Sequence, residues 1–158
     1  MNRKANTRHR RKRTQLKKRV RKTLKSRRQV KSMTNKSVIV ENFLEMLNTV
    51  KIYHWNTKSF AQHKATDELY ERLNDNIDKF VEILLGKRED RLNNLSNHIP
   101  LGETKSTNTF RSQIHQYREY LINLDECLDA KQDTDLLNVR DEILGDINQF
   151  LYLFTLNK

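Results

Sequence analysis

The residues of this 158-residue chain best placed to do chemistry are five carboxylates repeated along one helical face, with two histidines at its leading edge. On a wheel of about 100° per residue with Asp67 at zero, Asp78 falls at about 20°, Glu71 at about 40°, Glu82 at about 60° and Asp75 at about 80°. His63, one turn before Asp67, lies on the same side at about −40°, and the apolar residues of the segment centre near about 250°. The stripe therefore faces away from the core that its own helix builds. Like charges four residues apart repel by a few tenths of a kcal/mol per pair, and the spacing recurs at 67/71, 71/75 and 78/82. A solvated surface is the commonest meaning of such a face. Here, however, only Lys64 falls inside the stripe, whereas solvated faces usually intersperse the two signs. His54 stands one short loop upstream. A lone histidine is more often structural than a ligand, but two with several carboxylates match the mixed nitrogen and oxygen preference of iron, manganese or zinc.

The elements that must position these residues are helical throughout. Apolar spacing predicts a first helix over about 37–56, with Val38, Phe43, Leu44, Leu47, Val50 and Ile52 supplying its apolar positions. A short loop leads to a second and longest helix over about 62–92, carrying Leu69, Tyr70, Leu73, Ile77, Phe80, Val81, Leu84 and Leu85. Residues 93–105 contain the single proline, Pro100, and Gly102, and show no sustained period, which predicts a long connection. Third and fourth helices follow over about 107–130 and 134–156, the last starting from Asp133 or Thr134 as N-cap. Four helices with one long connection between the second and third suit a ferritin-like bundle, since an up-down bundle needs only short turns. The fold class expected is all-α.

Charge divides the chain in two. Residues 1–36 hold 17 of the 31 Lys and Arg and no Asp or Glu; residues 37–158 hold 14 basic and 20 acidic residues, a net of −6. The basic arm has Leu16, Val20 and Leu24 as its only large aliphatic residues through Arg28. With so little to bury, it is predicted to be disordered when free. Its cations, Arg3, Lys4, Arg8, Arg10, Arg11, Lys12, Arg13, Lys17, Lys18, Arg19, Arg21, Lys22, Lys25, Arg27 and Arg28, suit the phosphate backbone of a nucleic acid. Binding of that kind proceeds by counterion release, with steep salt dependence and little sequence selectivity. No aromatic residue is interleaved for base stacking, so duplex is the form expected. A nuclear-import signal at 10–13 is a second and compatible use. The single Cys127 excludes an intrachain disulfide or a zinc-thiolate site. No apolar run reaches the roughly 18–20 residues that a membrane span needs, which predicts an intracellular protein without membrane contact.

The run Tyr53-His54-Trp55-Asn56, followed by Phe60, His63, Asp67-Glu68-Leu69-Tyr70, Asp78 and Glu82, resembles the ferroxidase signature of Dps-type mini-ferritins. The segment HWNTKSFAQHKATDELY looks closer still to Dps-like proteins of large DNA viruses and phages. The interval from His54 to His63 is shorter than in typical members. The resemblance implies that His54 and His63 belong to one subunit, with Asp67 as an auxiliary or second-metal ligand, and that Asp78 and Glu82 come from a two-fold partner, with Trp55 beside the metal. It also implies iron as the metal, a homo-oligomer that is a dimer at least and a dodecameric cage in its full form, and a place in the virion or host nucleus if the chain is viral. An intra-bundle ferritin site is rejected, because such a site uses two Glu-x-x-His motifs and neither later helix has one. His115 is followed at 118 by Arg, and the fourth helix lacks histidine. His98, beside Pro100, reads as a loop residue, and the remaining aromatics read as packing.

The function expected is that of a DNA-associated mini-ferritin that binds iron, and oxidises it if turnover is retained. The alternative is a structural nucleic-acid packaging or virion protein on the same fold without turnover. An adaptor role for the helical body has no motif behind it.

Overall fold

The computed structural model describes residues 35–156 apart from 90, 94 and 103. They form four α-helices, α1 (Lys36–Asn56), α2 (Phe60–Arg88), α3 (Thr107–Leu124) and α4 (Thr134–Leu153), with single turns of 3-10 helix at Asp125–Cys127 and Phe154–Leu156. No strand occurs among the described residues, and none of their helices is long and apolar enough to cross a membrane. Every arm cation named above lies outside the described residues. α1 is capped by Asn35, whose side chain accepts the amide of Ser37 at 3.0 Å.

Where the helices end differs from the periodicity, for local reasons. α2 starts at Phe60, two residues early, because Ser59 caps it by accepting the Gln62 amide. It stops at Arg88 rather than Leu92. Gly86 weakens the last turn, and Glu89 turns left-handed at φ 46°, its amide donating to the carbonyls of Gly86 and Leu85. α3 ends at Leu124 rather than Ala130; the chain tightens into the 3-10 turn and then extends at Leu128, whose side chain is buried. Asp133 sits at the N-cap position of α4 without capping it. Its carboxylate accepts the Asp129 amide and pairs with Lys87 instead.

Cross-helix contacts fix the topology. Between α2 and α4 the partners run 72 with 149, 76 with 146, 79 with 142 and 87 with 135, so these helices are antiparallel. Between α1 and α3, Phe43 meets Tyr120, Thr49 meets Tyr117 and Tyr53 stacks on Phe110, again antiparallel. The three-residue turn after α1 makes α2 antiparallel to it. α2 and α3 must then point the same way, and the connection between them travels the length of the bundle. It tracks α1: Ser37 Oγ donates to Asn93 O, the Ser96 amide to Glu41 and the Gly102 amide to Thr49 Oγ1.

The core lies along the bundle axis. Leu69, Leu73, Ile77, Phe80 and Leu84 of α2, spaced by three and four, are all buried. Phe43 and Phe80 meet edge to face at 5.1 Å, both without exposed surface. Removing a side chain of that kind to alanine costs about 3–5 kcal/mol. Arg140, also buried, ties α4 to the end of α3 through Leu121 O and the Asp125 carboxylate, at 3.2 and 2.7 Å. Burial pushes the phenol of Tyr117 well above its ordinary range, so this hydroxyl stays protonated and donates to Thr49 or Glu45.

Candidate metal centre

The last turn of α1 and the first of α2 place two imidazoles face to face. His54, 7% exposed, and His63 have ring centroids 3.8 Å apart with planes 24° from parallel. Each binds the other's backbone: His54 Nδ1 lies 3.0 Å from His63 O, and His63 Nδ1 lies 3.0 Å from His54 O. A carbonyl oxygen only accepts, so both protons sit on Nδ1. In the neutral ring the lone pair is then on Nε2, the nitrogen with which such an imidazole ligates a metal while its other nitrogen is held by a backbone carbonyl. Thr66 supports the pair. Its hydroxyl donates back to Gln62 O at 2.7 Å while its oxygen stands 3.4 Å from His54 Nδ1.

Asp67 is the carboxylate at this point, with Oδ1 3.7 Å from His54 Nε2. The same oxygen is 3.8 Å from Lys51 Nζ, which also lies over the Tyr70 ring at 4.4 Å. The remaining acids are elsewhere. Asp78 and Glu82 sit 11 and 15 residues further along α2, about 16 and 22 Å at 1.5 Å per residue. Like Glu71 and Asp75, they are exposed. None of these four makes a hydrogen bond or ion pair with a described residue. One chain thus brings together His54, His63 and Asp67 but not Asp78 and Glu82, and among the described residues no group of three His, Cys, Asp or Glu is gathered closely enough to hold an ion.

A protein-family model, a family of unknown function designated DUF5856, matches residues 54–154. The chain belongs to this family. Its matched span takes in both histidines, Asp67 and the whole carboxylate stripe, and leaves out the basic arm. An uncharacterised 14.6 kDa protein in the mobD-ri intergenic region of Enterobacteria phage T4 is 39% identical over 59 residues, 35% of this chain and 46% of that protein. The chain therefore spans about half the length of this curated relative. No solved structure matches.

Within this DUF5856 chain the two histidines outside the pair stand apart from it. His98 is exposed in the connection. His115 lies on α3, where desolvation and then Arg118 and Arg111 lower its pKa, and it joins no metal-holding group among the described residues. Trp55, next to His54, is 68% exposed, and Phe60 is 77% exposed, so neither packs in the core of a single chain. Sequence reasoning missed Lys51 and Thr66. Both stand three residues from a histidine on its own helix, Lys51 before His54 and Thr66 after His63, and that spacing was the signal available.

Proposed function

We propose that this chain is a ferritin-like, nucleic-acid-associated protein whose substrate is iron, bound between two copies. The observation that carries the reading is the reciprocal histidine pair: each ring's Nδ1 is held by the other's carbonyl, which leaves both Nε2 atoms to ligate a metal when the rings are neutral. Two further features support it. The lengthwise connection between parallel α2 and α3 is the topology that distinguishes ferritin-like bundles from up-down ones. The stripe acids Asp78 and Glu82 have no ion-pair partner among the described residues and are exposed, so a second copy can meet them, and closed two-fold dimers are the commonest soluble assemblies. In this arrangement His54, His63 and Asp67 come from one chain, and Asp78 and Glu82 from the other. The protein supplies ligands and geometry; iron, or manganese or zinc in its place, carries the charge and any electrons. The arm, with no acidic residue among its 17 cations, holds nucleic acid, so that bound iron is kept close to duplex DNA. The phage relative fits a place in a virion or beside viral DNA.

A second reading, nucleic-acid packaging on the same fold without iron turnover, is favoured by Lys51. Its ammonium stands 3.8 Å from Asp67, where a second metal would compete with it. Anaerobic Fe(II) titration of the purified full chain by calorimetry tests the first reading. Saturable binding that disappears in His54→Ala/His63→Ala is expected. Heat no larger than that of the double variant removes the iron assignment. Binding that is saturable but gives no ferric product in air is the outcome of the second reading.

A further inference from the structure

The outward face of α2 repeats itself about its own midpoint. With Asp67 again at zero on the wheel, Phe60 and Asp78 fall at about 20° and Leu85 at about 0°, so these four residues share one line along the helix. Their spacing is 7, 11 and 7 residues. From either end the order is apolar, acidic, acidic, apolar, centred between residues 72 and 73. A step of 7 residues drifts by about −20° and a step of 11 by about +20°. The line therefore stays close to parallel with the helix axis from Phe60 to Leu85. It is also open. Asp67 meets Lys51 of α1 at one margin, and Arg72, Asn76 and Lys79 meet α4 at the other. Between those margins Lys64, Asp78 and Glu82 are exposed and Leu85 is partly so. Phe60, at the first position of the helix, leaves 77% of its surface exposed.

We propose that α2 packs antiparallel against α2 of a second copy, with the two-fold axis between residues 72 and 73, so that Phe60 of each chain seats on Leu85 of the other. A face symmetric about a point is complementary to itself under a two-fold axis through that point, which is the isologous arrangement of closed dimers. The proposal rests on the reading that two copies meet on this face, and adds the register, which shared ligands alone leave open. Residues equally far from the axis stand level across it, Phe60 with Leu85 and Asp67 with Asp78. The latter two are the carboxylates already assigned to one ion, so metal binding and this register favour each other. Charge complementarity points the same way. Lys64 and Glu82 both lie at about 60°, on one side of the line, and a two-fold axis perpendicular to the helices keeps them on the same side. They differ by one residue in distance from the axis, about 1.5 Å, so each Lys64 ammonium comes level with the Glu82 carboxylate of the other copy. Neither has an ion-pair partner among the described residues of its own chain.

Disulfide trapping of the full chain, with Cys127 replaced by Ser, decides the register. Within one chain Phe60 and Leu85 stand about 37 Å apart at 1.5 Å per residue, whereas a disulfide needs Cα atoms within about 7 Å. Oxidised Phe60→Cys/Leu85→Cys should therefore run as a covalent dimer on a non-reducing gel. Phe60→Cys or Leu85→Cys alone should not, because each cysteine is then as far from its own counterpart. A double variant that stays monomeric, or single variants that link as fully, overturns the proposal. Sedimentation without metal gives the second measurement. Phe60→Ala should raise the dimer dissociation constant about tenfold or more, the scale of one buried aromatic ring. Lys64→Glu should weaken the dimer, and Lys64→Glu/Glu82→Lys should restore it; a swap that restores nothing also overturns the register. The iron reading fails separately. A dimer trapped at 60 and 85 that takes up no Fe(II) keeps the register and removes iron. Fe(II) binding that depends on His54 and His63, in a chain whose 60 and 85 cysteines never link, removes the register and keeps iron.

Discussion

Replacing Asp78 with Asn and Glu82 with Gln should separate metal binding from fold stability, because the two effects have opposite signs. These residues are one helical turn apart on an exposed face of α2, and neither has an ion-pair partner among the described residues. A like-charged pair at that spacing costs about 0.2–0.5 kcal/mol, so the metal-free variant should gain that much, at most about 2 °C in melting temperature for a chain of this size. The parent in Fe(II) should gain far more. Mass action gives about 2.7 kcal/mol at a hundredfold excess over Kd, or roughly 5–11 °C. The variant should lose this metal-dependent shift while keeping its small gain. His54→Ala should lose the shift as well, but with a lower metal-free melting temperature, because a buried and doubly contacted ring has been removed. Scanning calorimetry of all three proteins, each with and without anaerobic Fe(II), makes the comparison. A parent curve that Fe(II) leaves in place would refute the reasoning, and so would a variant that retains the full shift.

Deletion of residues 1–34 should abolish duplex binding and leave helical circular dichroism intact; retention of the same affinity and salt slope would place the nucleic-acid contact on the body. The same armless body should sediment as a dimer or larger closed assembly, and a strict monomer at tens of micromolar would remove the shared site. Gly102→Ala should destabilise the fold by about 1–3 kcal/mol in urea titration, since an added Cβ would stand 2.5 Å from Gln113 Cγ and 2.8 Å from the Tyr117 hydroxyl. Lys87 and Asp135 set a dependence on acid: their hydrogen bond holds the Asp135 carboxyl below its ordinary 3.8 and raises the Lys87 ammonium above 10.5. The carboxyl's contribution is complete above pH 3.8 and is lost as pH falls through its lowered value, and that of the ammonium is complete below pH 10.5 and lost only above it. Urea midpoints measured from pH 5 to pH 2 should therefore fall less in Lys87→Met than in the parent.

Periodicity was enough to locate the helices, because Leu69, Leu73, Ile77, Phe80 and Leu84 leave α2 one buried face whatever its ends do. The ends were less legible. The stop of α2 depends on Glu89 entering the left-handed region, which few non-glycine residues do, and the stop of α3 on a 3-10 turn whose clasp, Arg140, lies in the next helix. At the site, the short turn made the meeting of His54 and His63 readable. Their tautomers were not, since these are set by two backbone carbonyls whose directions no side-chain pattern encodes. The ion pair of Lys51 with Asp67 was hidden likewise, because it joins two helices through rotamers rather than register.

The connection between α2 and α3 also acts as a ruler. α3 begins beside Tyr53 and Gln62, so Arg88 and Thr107 are separated by roughly the 26 residues of α2 beyond Gln62, about 40 Å at 1.5 Å per residue. Extended chain covers about 3.3 Å per residue, so some 12 residues are the least that can bridge the gap, and 18 are present. The slack is about six residues. Natural or engineered shortening within that margin leaves α3 docked, whereas a longer deletion drags its first turn along the bundle axis and pulls Phe110 away from Tyr53. Insertions carry no such limit, and the stretch around Leu95 to Leu101 lies outside the core, so added sequence there displaces none of its buried residues.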